Sequence, residues 1–166
     1  MTNILGIDPG SSRMGYGLIE QQGSKLKLVK AGTLEIKEKD VNQKLLALAS
    51  GLKALLKTVK PDLVAVEKIF FSKNVKTAIE VAQARGIIIL ITLQNQIPLI
   101  ELTPQQAKQA VTNYGGADKK AVAKMVSIIL ERPLLKVLDD TTDALALAIA
   151  ASSMYTHKYL KNLKVE

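Results

Sequence analysis

Four carboxylates stand where an acid is costly. Asp8 closes the apolar run Ile4 to Ile7, Glu67 closes the apolar run Leu63 to Val66, and Asp140 and Asp143 precede a helix-like segment of small residues, Ala144, Ala146, Ala148, Ala150 and Ala151. A carboxylate at the end of a core strand needs a cation or hydrogen bonds to offset its desolvation. Carboxylates gathered at one place repel one another unless a divalent ion neutralises them. The chain has no cysteine, and its single histidine, His157, lies in a lysine-rich tail. Thiol catalysis, thiolate ligation, multi-histidine sites and histidine acid–base chemistry therefore recede. All-oxygen ligation suits Mg²⁺ or Mn²⁺. The formal net charge of +8 points to a polyanionic partner, nucleic acid foremost. The chemistry these features suggest is phosphodiester hydrolysis, with one metal activating the attacking water and another stabilising the leaving 3′-oxygen. Each acid also has a plainer explanation. Asp8-Pro9-Gly10 is a common turn opener, a strand-end Glu67 can simply reach water, and aspartates at a helix start are favoured by capping and the macrodipole. The repeated placement of acids at strand ends favours the site.

The elements that must position these acids follow from periodicity. Ile4 to Asp8, Met14 to Gln21 and Lys25 to Glu35 read as three strands of an antiparallel meander, the third alternating polar and apolar residues. Val41 to Val59 is an amphipathic helix, with Leu45, Leu48, Leu52, Leu55, Leu56 and Val59 on one stripe and Pro61-Asp62 as its stop. Leu63 to Val66 has the all-apolar character of a central parallel strand. If it lies parallel to the first strand, Asp8 and Glu67 emerge at the same sheet edge, where open α/β sheets place their sites. Thr77 to Arg85 is helical in pattern. The apolar residues after it fit either a strand over Ile87 to Thr92 or a continuation of the helix through Gly86 to Gln94. Leu99 to Leu102 is a strand. Thr103-Pro104-Gln105-Gln106 is a helix start with cap, proline and capping-box glutamine, and that helix is expected to run to Tyr114. Asp118 caps a further helix through Leu130, and the last helix spans Ala144 to Ser153. The apolar run from Gly86 to Leu102 is broken by Gln94, Asn95, Gln96 and Pro98, so no uninterrupted membrane span is expected there. No signal peptide is evident, and the absence of cysteine fits a reducing cytoplasm. The expected organisation is one α/β domain over residues 1–153, followed by a basic, frayed tail over 154–166.

Two further groups bear on a nucleic-acid partner. The only phenylalanines, Phe70 and Phe71, are adjacent and followed by Lys73 and Lys76. One ring is expected in the core; the other can join it there or stand exposed to stack on or wedge between bases. Lys108, Lys119 and Lys120 can clamp phosphates, although a single lysine is commonly just a solvated charge.

Ile7-Asp8-Pro9-Gly10 with Gly15-Tyr16-Gly17, Glu67 with Phe70 and Lys73-Asn74, Gln83-Ala84-Arg85-Gly86, and Asp140-Thr141-Thr142-Asp143-Ala144-Leu145-Ala146 resemble, in order, the motifs of the RuvC-type Holliday junction resolvases. These are members of the ribonuclease H-like superfamily. The resemblance implies a ribonuclease H-like fold with a five-stranded mixed sheet, helices on both faces, and one long helix through Gly86. It implies a homodimer that nicks two opposed strands of a four-way DNA junction, with 5′-phosphate and 3′-hydroxyl products and the RuvA–RuvB branch-migration complex as cellular partner. It places the catalytic metal ligands on Asp8, Glu67, Asp140 and Asp143, with two Mg²⁺ ions that Mn²⁺ can replace. It places the junction-probing aromatic on Phe70 and the two important lysines on Lys108 and Lys119.

Three other functions compete. Actin-like ATPases and sugar kinases share the strand–Asp–Gly-turn opening but need two such domains, and 166 residues supply one. A catalytically silent junction-binding module should lack a metal ligand, and all four acids are present. A ribonuclease H-like nuclease acting on RNA is the third, against which the Phe70 segment and the paired lysines speak by resemblance.

Overall fold

The computed structural model describes residues 1–68, 75–133 and 139–154. Five strands form one mixed sheet: β1 (Thr2–Asp8), β2 (Arg13–Gln22), β3 (Lys25–Glu35), β4 (Leu63–Glu67) and β5 (Leu99–Leu102), in the spatial order β3-β2-β1-β4-β5. The first three are antiparallel, while β1–β4 and β4–β5 are parallel. Among the described residues five helices cover the sheet: α1 (Val41–Val59), α2 (Val75–Gln94), α3 (Pro104–Thr112), α4 (Lys119–Ile129) and α5 (Asp139–Met154). One core layer joins α1 and α2 to one face through Leu48, Leu52, Leu56, Ala84, Ile88 and Ile91. The other joins α3, α4 and α5 to the opposite face.

Strand alternation decides which face each acid meets, because successive side chains point to opposite sides. Leu5 and Ile7 lie in the α1–α2 layer, whereas Ile4 lies in the α5 layer. Asp8 has the parity of Ile4 and so belongs to the α5 side. In β4, Val64 and Val66 share the α1–α2 layer while Leu63 and Ala65 share the α5 layer, which puts Glu67 on the α5 side as well. The β1–β4 register pairs Ile4 with Leu63 and Ile7 with Val66, so Asp8 and Glu67 end adjacent strands level with each other. Two bonds clamp that register at the far end. The Asn3 amide donates to the Asp62 carboxylate at 2.7 Å, and the Asp62 amide donates to the Asn3 carbonyl at 2.8 Å. A slip of one residue would send Glu67 to the wrong face.

α5 lies across β1 and β2 in a trough floored by glycine. A Cβ on Gly6 would overlap the Ala144 carbonyl oxygen and stand 2.8 Å from the Ala148 amide nitrogen. A Cβ on Gly15 would overlap the backbone of Asp140 and stand 2.9 Å from its Cβ. Asp140, Ala144 and Ala148 recur every four residues, so this stripe is the helix's contact with the sheet. The helix is buried almost throughout, from Thr141 and Thr142 to Ser152, with Asp143 only partly so.

Several boundaries differ from the expected ones. The last helix begins at Asp139 rather than Ala144, because its acids occupy the first turn, where the positive end of the dipole favours them. It runs one residue past the expected domain boundary, to Met154. α3 stops at Thr112 instead of Tyr114: Asn113 takes the left-handed conformation (φ 60°) and ends the helix before the glycines. The capping box at its start is present, with Thr103 accepting from the Gln106 amide and Gln106 accepting from the Thr103 amide. α1 spans Val41–Val59 as expected, and Lys60, also left-handed, caps it just before Pro61. The segment after Arg85 is helix, and α2 is continuous through Gly86. Its stretch Thr77–Gln94 has the length and composition of a membrane span. Here, though, one stripe of it packs in the core through Ala84, Ile88 and Ile91, as a core helix does.

The glycine trough yields a stability prediction. Gly6→Ala forces α5 off the sheet and should destabilise the fold by about 1–3 kcal/mol or more, measurable as a lowered midpoint in urea unfolding. An unchanged midpoint would mean that α5 does not rest on Gly6.

Candidate active site

The C-terminal ends of β1 and β4 and the N-terminus of α5 converge at one edge of the sheet. Asp8 arrives from β1, Glu67 from β4, and Asp140 and Asp143 from successive positions of one helix face. Asp8 pairs in the ladder with Gly15, the same residue on which the Asp140 backbone rests. Asp8, Glu67 and Asp143 are each partly buried.

Their electrostatics follow from burial and crowding. Burial, then the neighbouring charges of Glu67, Asp143 and Asp140, push the Asp8 carboxyl up to about 8, against a smaller opposing pull from Lys119. Burial and Asp143 push Glu67 up to about 6, with Lys108 and Lys119 opposing. Asp143 is raised by burial and by Asp139 and Asp140, and held down by Lys119 and Lys108. Lys119 is raised by its hydrogen bond to Asp139, made at 3.1 Å, and by the acids around it. Asp8, Glu67 and Asp143 are thus each raised by burial and by at least one neighbouring acid.

Asp139 and Asp140 separate cleanly. The Asp139 side chain is two-thirds exposed and pairs with Lys119. Asp140 is turned toward β2, mostly covered, and paired with the Nε of Arg13. Asp140, and not Asp139, is among the charges that raise Asp8. Among the described residues no three acids or histidines are drawn tightly enough to enclose an ion.

A cleft of about 210 Å³ opens beside the acids, lined by Glu67, Asp143, Lys108 and Lys119 with Pro104, Ala107, Val122 and Ala146. Lys108 comes from α3 and Lys119 from the first turn of α4, so two helices set cations across from two carboxylates. Lys120, next in α4, is exposed and does not line the cleft. Phe70 and Lys73 lie outside the described residues. Lys76 lies in the first turn of α2, and its side chain is likewise outside them.

Two arginines at this edge carry no role in the sequence-based site. Arg13 is one; it sits within the glycine-rich opening motif, where a basic residue gives no periodic signal. Arg85 is the other. Its Nε donates to the Glu67 carbonyl at 3.0 Å, and its guanidinium pairs with Glu101 of β5, which ties α2 to the end of β4. The Gln83-Ala84-Arg85-Gly86 motif marked this residue without indicating what it holds.

The profile of the family described as "Crossover junction endodeoxyribonuclease RuvC" matches residues 4–151. The chain belongs to the RuvC family. It is 44% identical over 147 residues to the crossover junction endodeoxyribonuclease RuvC of Brevibacillus brevis, covering 88% of this chain and 89% of that one. It is 45% identical over 146 residues to the protein of the same name from Chloroflexus aggregans, covering 87% and 89%. Among solved structures, it superposes on T. thermophilus RuvC in complex with a Holliday junction substrate with a TM-score of 0.80 at 26% identity, over 90% of this chain and 92% of that one. The ribonuclease H-like architecture implied by the family motifs is the one observed: a five-stranded mixed sheet with helices on both faces.

The raised carboxyls make metal-free stability depend on pH. A carboxyl whose folded value lies above its unfolded value adds stability at low pH and loses it as pH rises through the folded value. For Asp8 and Glu67 that loss runs from about pH 4 to about pH 8. Chelated protein should therefore melt progressively lower across this window in differential scanning fluorimetry, and Asp8→Asn should melt higher than the parent at pH 8. A flat profile, or a less stable Asp8→Asn, would show that the acids do not repel.

Proposed function

We propose that this chain is a metal-dependent crossover junction endodeoxyribonuclease, acting in homologous recombination and DNA repair. It resolves four-way DNA junctions by symmetric phosphodiester hydrolysis that leaves 5′-phosphate and 3′-hydroxyl ends. The observation that carries this reading is the convergence of Asp8, Glu67, Asp140 and Asp143 on one sheet edge beside a cationic cleft, in a chain of the RuvC family.

The donor set fits a divalent cation. It offers carboxylate oxygens alone, and burial followed by neighbouring acids holds Asp8, Glu67 and Asp143 above their ordinary titration range. We assign Asp8, Glu67, Asp140 and Asp143 as the ligands of two Mg²⁺ ions, with Mn²⁺ as a substitute. Such ions, when bound, supply an activated water and charge stabilisation for the leaving oxygen. The chain's own residues bind and orient. Lys108 and Lys119 face Glu67 and Asp143 across the cleft and suit a phosphate laid between the two walls. Lys119 also favours the charged forms of Asp8, Glu67 and Asp143. Phe70, Lys73, Lys76 and Lys120 are assigned to junction contact on the family resemblance.

A homodimer is part of this reading, because its two sites would meet the two symmetric strands of a junction. The exposed face of α2 supports it. Ile79, Leu90 and Leu93 are about half exposed, and with the exposed Gly86 they recur at helical spacing along one stripe, where a second copy can approach closely. The RuvA–RuvB complex as partner, the cytoplasm as compartment, and the division into a nuclease domain over 1–153 and a basic tail over 154–166 complete the proposal.

Cleavage of a labelled four-way junction, run beside a linear duplex with Mg²⁺ or with chelator, tests it. Paired, metal-dependent nicks should appear in the junction alone. Asp8→Asn should lower the rate by roughly a hundredfold or more while junction binding persists in a gel-shift assay. Binding without cutting by the parent would make this a silent junction module, and neither binding nor cutting would point to an RNA substrate.

A further inference from the structure

Arg13 is the first residue of β2. It shares the parity of Gly15 and Gly17, so strand geometry aims it at the same face as Asp8 and at the N-terminus of α5. Glu35 stands directly across from it in the β2–β3 ladder, a ready cross-strand partner. Yet its Nε donates to the Asp140 carboxylate. The contact is asymmetric: the Asp140 side chain is 22% exposed and the Arg13 side chain 50% exposed. The carboxylate is built into the site because the Asp140 backbone rests on Gly15. The guanidinium sits at the rim with room to leave. Lys119 holds Asp139 in a similar way, but that pair is two-thirds exposed on both sides.

We propose that Arg13 is a positioning residue for the metal site: it is the resident counter-cation of Asp140 in the metal-free protein, and a divalent cation loads by displacing it. This inference rests on the assignment of Asp140 as a metal ligand. Its consequence is that the site holds a cation on Asp140 in both states. The carboxylate stays oriented before loading, and the metal must compete with a tethered charge. Arg13 thereby sets how much metal the site needs.

The test is thermal unfolding of the full chain, stripped with chelator and titrated with Mg²⁺ alone, without DNA. Arg13→Gln should melt lower than the parent when metal-free. Its half-saturating Mg²⁺ concentration should fall by roughly two- to fivefold, the scale of a partly exposed ion pair. Arg13→Lys should lie between Arg13→Gln and the parent. In an Asp140→Asn background Arg13→Gln should change neither quantity, because the two residues act through one contact. The half-exposed position of Arg13 makes the variant foldable, and its metal-free transition verifies that directly. An unchanged or raised half-saturating concentration in Arg13→Gln, or an effect that persists in Asp140→Asn, overturns the proposal and leaves the metal assignment standing. A parent protein that shows no Mg²⁺ response overturns both.

Discussion

The site depends on how closely α5 can approach β1 and β2. Helix backbone meets strand backbone at Gly6 and Gly15, where a single methyl group would collide with Ala144, Ala148 or Asp140. That approach does two things at once. It seals the core on this face with a helix of small residues, and it drives the acidic first turn of the helix down to the edge where β1 and β4 deliver Asp8 and Glu67. With larger residues in the trough the same sheet could form, but Asp140 and Asp143 would stand away from the other two carboxylates.

Crowding acids in this way costs stability, and the surrounding cations offset part of it. Lys108 and Lys119 lie across the cleft and Arg13 at the rim, drawn from α3, α4 and β2 respectively. They do not remove the conflict, since Asp8 remains pushed up to about 8. On the proposed assignment, a divalent cation bound there would relieve the repulsion, and the same relief would make the site responsive to metal concentration and pH. Arg85 belongs to a different part of the design. By bonding the Glu67 carbonyl it fixes where β4 ends, so that Glu67 leaves the sheet level with Asp8.

Much of this was legible in the chain itself. The alternation and apolar runs marked all five strands, and the parity of Asp8 and Glu67 with their neighbours follows from the runs they close. Thr103, Asp118 and Pro104 marked their helix starts because caps are local chemistry. The limits were equally physical. Periodicity could not separate strand from helix after Gly86, because the run there is apolar on every side. The family resemblance supplied the long helix that is observed. The helix end at Asn113 escaped because that residue adopts a left-handed backbone that glycine would normally signal. The start of α5 was set late because its first turn carries acids rather than apolar residues. The family motif favoured Asp140 over Asp139, and in the structure Asp140 is the one whose backbone rests on the glycine trough. The pairing of Arg13 with Asp140 joins residues far apart in sequence, and no local pattern announces it.

The central claim is that these four carboxylates together hold divalent metal. The most direct test is a crystal of the protein soaked in Mn²⁺ and measured for anomalous scattering. Peaks lying among Asp8, Glu67, Asp140 and Asp143, and absent from crystals of Asp8→Asn, are the predicted result. Ordered Mn²⁺ bound elsewhere, with these carboxylates unchanged, would contradict the account.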